Sequence, residues 1–344
     1  MSRRAQVRVG LAGAGWIAGV HAAAIQHVPG MRVVAVASRT AERAAATAEL
    51  TGARAVPFDE VAHGVDGVIV STPPAHHRAA VEAAVAAGAG VLVEKPLCTT
   101  LVDADAIVAL AERGATIAYA ENLLHAPAVR AALDHRAQLG DLTLLEVRAL
   151  QDRPTWGDFL TEGWGGGALF DLGAHPIAVA LALAAPARPV EVRARLEGAA
   201  DHPVDEHADV EVAFDTGLRA RIEVSWRQSG AAVWDAQAVT PDGVVRLELL
   251  PEVRVERNGA EVPLPPAPRG VVPELEELGY LPQVEAFALD LVRGRAPEVD
   301  AHLGRDVLDL TCAAYWSASR RSAWVELPFA GDRDRAPISL WKDG

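Results

Sequence analysis

The stretch Val7-Arg8-Val9-Gly10-Leu11-Ala12-Gly13-Ala14-Gly15-Trp16-Ile17-Ala18 runs from an apolar strand through a glycine turn into an alanine-rich segment. It contains Gly-x-Gly-x-x-Ala at Gly13, Gly15 and Ala18. Gly13 permits a tight turn, Gly15 lets backbone amides approach a pyrophosphate, and Ala18 keeps the following helix close to the sheet. The start of that helix adds the positive end of its dipole. The motif alone is short. Between a first strand and a first helix it predicts a dinucleotide site, with Trp16 and Ile17 in the turn.

The next hundred residues decide whether that context exists. Short apolar runs at 33–37, 65–70, 91–93 and 117–119 read as buried parallel strands, and the longer segments 16–27, 41–50, 75–87 and 101–113 read as helices. Strand–helix alternation with short connections predicts a doubly wound parallel sheet. The second strand bears on the choice of dinucleotide. A carboxylate at its end would accept from a ribose 2′-hydroxyl, but here the run ends Ala37-Ser38-Arg39-Thr40, with Arg43 four residues beyond Arg39. Arg39 and Arg43 can flank a 2′-phosphate or stand as solvated charges at a helix start. NADP is therefore favoured modestly over NAD.

Past Pro127 the rhythm changes. One helix near 128–138 is followed by strand-like runs at 143–150, 190–197, 208–214, 218–226, 236–239 and 244–249 without intervening helices. Asp-Thr-Gly at 215–217 and Pro-Asp-Gly at 241–243 are turn signals, so this half is expected to be an α+β domain with a mostly antiparallel open sheet. A Pro-rich loop at 263–273 and helices near 282–293 and 304–319 complete the chain. The expected division is a dinucleotide domain over 1–124 and a substrate-binding and oligomerisation domain over 125–344. A sheet with one uncovered face is expected to leave an apolar surface, hence a homodimer or homotetramer.

Composition narrows the partners. The chain has 344 residues, 46 acids against 32 bases and a net charge of −14. That balance argues against nucleic acid or an anionic membrane as a partner. Cys98 and Cys312 cannot build a disulfide framework, no apolar run approaches the ~18 residues of a membrane span, and Ser2-Arg3-Arg4 precedes too short an apolar stretch for an export signal. The expected location is cytoplasmic.

Only two of the 32 bases are lysine, Lys95 and Lys342. Lys342 reads as a tail charge. Lys95 follows the strand at 91–93, at the sheet edge where ligands bind in open α/β folds. Unlike arginine, a lysine offers a compact ammonium that can lose its proton when desolvated. A second cluster is Gly165-Gly-Gly-Ala-Leu-Phe-Asp171-Leu-Gly-Ala-His175. If 168–184 is helical, Asp171 and His175 share a face, and a carboxylate beside a histidine orients it as a base. Such pairs also serve structure. Pro176 means that the helix either kinks there or begins after His175. No third ligand at recognisable spacing supports a metal site.

Together these segments resemble the glucose–fructose oxidoreductase / inositol dehydrogenase (Gfo/Idh/MocA) family. The resemblance covers nearly the whole chain. Its carriers are the glycine turn, Thr72-Pro73-Pro-Ala-His-His77, Glu94-Lys95-Pro96, the 165–175 cluster, and an ending that runs from Gly279-Tyr280 through Phe287 to residues 304–327. It implies an NAD(P)-dependent enzyme that moves a hydride to or from a secondary alcohol or ketone of a sugar, sugar derivative or cyclitol. Lys95 would stand beside the nicotinamide and the reacting hydroxyl, Asp171 on the substrate, and His175 as acid/base. Thr72, Pro73, His77, Glu94 and Asn122 are expected at the cofactor. Tyr280, Trp156 and Trp164 are expected at the substrate, although core packing would account equally for either tryptophan. Pro176 and Ala178 depart from inositol-dehydrogenase-like members, which argues against carrying over inositol specificity. The other readings are an NADP(H)-sensing regulator, which would not need Lys95, Asp171 and His175 together, and an NAD-dependent redox glycosidase.

Overall fold

The computed structural model describes residues 6–266, 268 and 270–342. The Ser2-Arg3-Arg4 stretch lies outside them, as do residues 267 and 269 of the expected 263–273 loop. In chain order, β1 (Val7–Ala12), α1 (Trp16–Gln26), β2 (Met31–Ala37), α2 (Ala41–Thr51), β3 (Arg54–Ala55), β4 (Gly67–Val70), α3 (His77–Ala86), β5 (Gly90–Glu94), α4 (Leu101–Glu112) and β6 (Ile117–Ala120) come first. Next come α5 (Pro127–Ala137), β7 (Leu144–Leu150), α6 (Ala168–Asp171), α7 (Ala174–Ala184), β8 (Pro189–Gly198), β9 (Asp205–Phe214) and β10 (Arg219–Ser225). β11 (Val233–Thr240), β12 (Gly243–Leu250), β13 (Arg254–Arg257), β14 (Ala260–Glu261), α8 (Pro273–Glu277), α9 (Tyr280–Arg293), α10 (Ala301–Ser319), β15 (Val325–Glu326) and α11 (Pro337–Lys342) complete the order.

Two compact units share this chain. The first takes Met1–Cys98, Asp103–Asn122 and Ala267–Arg305; the second takes Thr99–Val102, Leu123–Pro266 and Asp306–Gly344. The chain therefore re-enters the first unit well past residue 124, where the sequence suggested a single cut. The reason is visible in the packing. Leu281, Val284, Phe287 and Ala288 recur at helical spacing on one buried face of α9. That face seats on the start of β4 and β5, where Gly67 and Gly90 leave room: a Cβ at Gly67 would stand 2.8 Å from the Leu291 side chain, and one at Gly90 2.4 Å.

The first unit is a six-stranded parallel sheet ordered β3-β2-β1-β4-β5-β6, the doubly wound arrangement expected from sequence. Its central strands are largely apolar because helices cover both faces; Val9, Leu11, Ile69 and Leu92 are wholly buried, while Arg8 and Arg32 near the strand starts are exposed.

The second unit is built on a nine-stranded sheet ordered β14-β13-β12-β11-β7-β10-β9-β8-β15. Its pairings are antiparallel except one: β10 runs parallel to β7, with Ala220 opposite Leu145. The sequence did not suggest β13, β14, α8, β15 or α11. A turn signal for the β13–β14 hairpin was nevertheless present in Asn258-Gly259, where both residues have positive φ. One face carries Leu145, Val147, Ala149, Ile222 and Val224, all buried.

The opposite face corrects the expectation of an apolar surface. Strict alternation fills it with Glu146, Arg148, Arg221, Glu223, Asp235 and Glu248. Arg193 stands opposite Glu211, and Arg254 opposite Glu248, with N–O separations of 2.6 and 2.7 Å. An open sheet face satisfied by cross-strand ion pairs is stable in water without an apolar cover. No single helix among the described residues is long and apolar enough to cross a membrane.

Candidate active site

In the first unit the glycine turn closes between β1 and α1. Gly13 has φ +124°, and a Cβ there would lie 2.5 Å from Ser71 Oγ and 2.6 Å from the Ser71 carbonyl oxygen. Only glycine fits that position. Gly15 is different: it is exposed, its φ is −84°, and a Cβ would meet nothing within 4 Å. The start of α1 has no side-chain cap and no acidic residue in its first turn. Its amides thus face open space with the positive dipole end behind them, which fits a dinucleotide pyrophosphate. Trp16 in this turn is 61% exposed, and Ile17 is half-buried.

At the end of β2, Ser38 Oγ accepts the Thr40 N–H at 3.2 Å and shapes the entry to α2. Arg39 and Arg43 are exposed and have no ion-pair partner among the described residues, and Glu42 lies between them in the first turn of α2. Further along the sheet edge, His77 is wholly buried. Its Nε2 lies 2.7 Å from the Thr72 carbonyl oxygen, and its Nδ1 lies 3.1 Å from those of both Pro96 and Leu97. Burial pushes its pKa below the ordinary 6.5, against the opposing pull of those carbonyls and of Glu94. With both ring nitrogens committed, His77 does not face a ligand. It ties the turn after β4, which holds Thr72 and Pro73, to the turn after β5. Thr72 keeps one buried hydroxyl with no partner among the described residues.

Lys95 follows β5 directly and is half-buried. Glu94 beside it is buried, and its carboxylate is bonded within the protein. Asn122 is also enclosed, and its Nδ2 donates to the Leu278 carbonyl at 2.7 Å, fastening β6's exit to the segment before α9. Tyr280 opens α9; burial pushes its phenol far above the ordinary range, and the Glu94 and Glu121 carboxylates add to the shift. Glu94, Asn122 and Tyr280 thus build this edge from within.

In the second unit the Gly165–His175 sequence forms two helices rather than one. α6 ends at Asp171 and α7 begins at Ala174. Gly173 makes the break possible, since a Cβ there would lie 2.1 Å from the Leu169 carbonyl oxygen. Asp171 and His175 therefore flank a junction and do not share one continuous helical face. Pro176 falls in the first turn of α7, where its missing N–H costs nothing. His175 is 6% exposed, and its ring centroid lies 5.4 Å from that of Trp234 on β11. The two line a small apolar recess with Pro176, Val179, Leu123 and Leu249. Asp171 is half-buried.

The start of α6 is held by a residue that the sequence did not single out. Asp205 is wholly buried: Oδ1 accepts the Gly167 N–H at 2.9 Å, Oδ2 accepts the Leu169 N–H at 2.8 Å, and the Tyr315 hydroxyl donates to Oδ1. Burial raises its pKa, and those same donors oppose the rise. Upstream, Trp156 and Trp164 each pack edge-on against Phe159, with centroids 4.8 and 4.5 Å away. Trp156 is 55% exposed, while Trp164 is half-buried. Asp201, His202 and Glu206 are close enough together to hold a metal. Arg153 and Arg227 already pair with the two carboxylates.

The chain is similar to known proteins along most of its length. Residues 7–121 match the model described as "Oxidoreductase family, NAD-binding Rossmann fold", and residues 128–245 match the "GFO/IDH/MocA C-terminal domain". A dTDP-3,4-didehydro-2,6-dideoxy-alpha-D-glucose 3-reductase of Streptomyces antibioticus is 36% identical over 163 residues, 44% of this chain and 49% of the relative. The chain thus spans about half the length of this first curated relative. A protein of the same name from Actinomadura kijaniata is 28% identical over 85% of this chain and 89% of its own length. Among solved structures, GenD2 from gentamicin A biosynthesis, in complex with NAD, superposes with a TM-score of 0.85 at 25% identity, covering 95% of this chain and 98% of that one. The chain belongs to the Gfo/Idh/MocA family of oxidoreductases.

Proposed function

We propose that the protein is a nicotinamide-dependent oxidoreductase acting on a secondary alcohol, or the matching ketone, of a sugar or sugar derivative. The observation that carries this reading is the arrangement of one sheet edge. β1, β4 and β5 are parallel neighbours, so the open Gly15 cradle, the Thr72 turn and Lys95 all lie at their C-terminal ends. The nicotinamide, when bound, supplies the redox half of the reaction by giving or taking a hydride at the substrate carbon. Lys95 is assigned to stabilise the developing alkoxide with its compact charge. His175 is assigned to take or return the hydroxyl proton, and Asp171 to hold the substrate. Packing of the His175 ring against Trp234 limits its orientations, which suits a positioned base.

NADP is the proposed cofactor, because two exposed arginines, with no ion-pair partner among the described residues, follow a β2 that ends without a carboxylate. The names of the two curated relatives favour a keto sugar over a cyclitol as substrate. Two copies are proposed to associate through the open face of the second sheet, held by charge rather than apolar area. The test is a panel of keto sugars, polyols and cyclitols, read by the absorbance of reduced nicotinamide with each cofactor. Turnover of a sugar that is lost in Lys95→Ala supports the reading, and full turnover in that variant sinks it.

A further inference from the structure

Inside the first unit, α1 carries a side chain that its composition does not call for. Its other buried residues are Ala18, Ala22, Ala24 and Ile25, yet His21 among them is 0% exposed. Its Nε2 stands 2.7 Å from Glu94 Oε1. Glu94 Oε2 accepts the Lys95 N–H at 3.1 Å. Both carboxylate oxygens are therefore engaged, one by α1 and one by the backbone of the following residue. Because a carboxylate accepts on both sides, His21 Nε2 carries the donated hydrogen. His21 Nδ1 is buried without a partner among the described residues. An apolar residue would occupy this place in α1 without burying an unsatisfied nitrogen.

We propose that His21 is a positioning residue for Lys95. Through Glu94 it holds the backbone from which the Lys95 side chain is aimed. The helix that begins at the cofactor turn is thereby tied to the cation at the end of β5. The bridge is short and buried at both ends, with side-chain exposures of 0% and 9%. Its geometry is set by α1 and β5, two rigid elements, rather than by a loop. The inference rests on the reading of Lys95 as the charge that stabilises the alkoxide. A displacement of about 1 Å at such a group is enough to cost about a hundredfold in rate.

The scarcity of lysine supplies the test. Protein labelled with [15N]lysine has only two lysine backbone amides to observe, those of Lys95 and Lys342. In His21→Leu the Lys95 cross-peak is expected to move and its amide exchange to quicken by about tenfold or more, while the Lys342 peak stays in place. His21→Gln puts an amide donor near the former Nε2 and should return the peak towards its original position. Glu94→Gln should move the same peak, and adding His21→Leu to it should move the peak no further, because the two residues act through one bond chain. Either of two results overturns the proposal: an unmoved Lys95 peak in His21→Leu, or a His21→Gln spectrum no closer to the original than that of His21→Leu. The isosteric Glu94→Gln and the donor-keeping His21→Gln carry the test if leucine prevents folding, and an unmoved Lys95 peak in Glu94→Gln then overturns the proposal. Turnover in Lys95→Ala tests the role of Lys95 itself and is blind to His21, so the two failures are separable.

Discussion

Gly13 and Gly15 lie two residues apart in one turn, and alanine at each should do opposite things. In Gly15→Ala the new methyl meets no protein atom within 4 Å, and φ −84° is open to any residue. Exchanging glycine for alanine at a helix N-cap costs under about 1 kcal/mol. For a unit of this size that lowers Tm by about 2–4 °C at most. The same methyl projects into the space where a pyrophosphate would reach the α1 amides. Loss of two charge-assisted bonds at about 1.5 kcal/mol each raises the cofactor Kd by about a hundredfold or more. Gly13→Ala drives its methyl to 2.5 Å from Ser71 Oγ and 2.6 Å from the Ser71 carbonyl oxygen, at φ +124°. Overpacking against backbone together with strain should cost about 3 kcal/mol or more, and cofactor binding would fall with the fold. Thermal melts, with fluorescence titration of NADPH and NADH, separate the two variants. Wild-type cofactor affinity in Gly15→Ala would refute the placement of the dinucleotide, and a melt lowered as far as that of Gly13→Ala would refute the open space.

Three further outcomes follow from the same geometry. Asp205→Ala strips the acceptor from the Leu169 N–H and the Tyr315 hydroxyl, while the Gly167 N–H keeps the Tyr315 oxygen, and at about 1–3 kcal/mol for each stranded donor it should destabilise by about 4 kcal/mol; a loss below about 1 kcal/mol in urea unfolding would show that α6 does not need its cap. His77 has its folded pKa below the ordinary 6.5, so the folded state binds this proton less readily than the unfolded chain. Its share of the stability is whole above that value and is lost as pH falls from there through the folded pKa, by at most about 1.4 kcal/mol per pH unit. His77→Gln should flatten the decline in urea midpoints on the acid side, and an unchanged slope would count against the buried imidazole. Lys95→Arg keeps the charge but spreads it over a larger planar group, so most turnover should vanish while the melt and cofactor affinity hold; near-normal turnover would mean that charge alone suffices.

What could be read from sequence was local. Strand–helix alternation marked β1, β2, β4, β5 and β6, since buried parallel strands are short apolar runs, but not the two-residue exposed β3; Asp-Thr-Gly and Pro-Asp-Gly marked two hairpins of the second sheet. The glycine turn and the place of Lys95 just after β5 were legible for the same reason: each is fixed by its neighbours in the chain. What escaped depends on contacts between distant residues. Asp205 caps a helix 36 residues before it, and nothing adjacent to it announces that task. Trp234 reaches His175 only through the pairing of β11 with β7, and Glu94 meets His21 across 73 residues. The break between α6 and α7 is a hint that was available, because glycine two residues after Asp171 interrupts an otherwise helical pattern. The charged face of the second sheet was missed, because an apolar surface was expected there, although the pattern to find it was present. Its strands alternate, and an alternating strand has a polar side.

The interleaving of the two units constrains how the chain can be made. β1 to β6 leave the ribosome with the seat of α9 bare, and that helix follows only after the whole stretch from Ala120 to Tyr280. At about 5–20 residues per second the wait is about ten to thirty seconds. The second unit fares no better, since its sheet stays incomplete until β15 arrives at Val325. Neither unit can finish early. The apolar seat on β4 and β5 therefore waits for its own helix until Tyr280–Arg293 has been made.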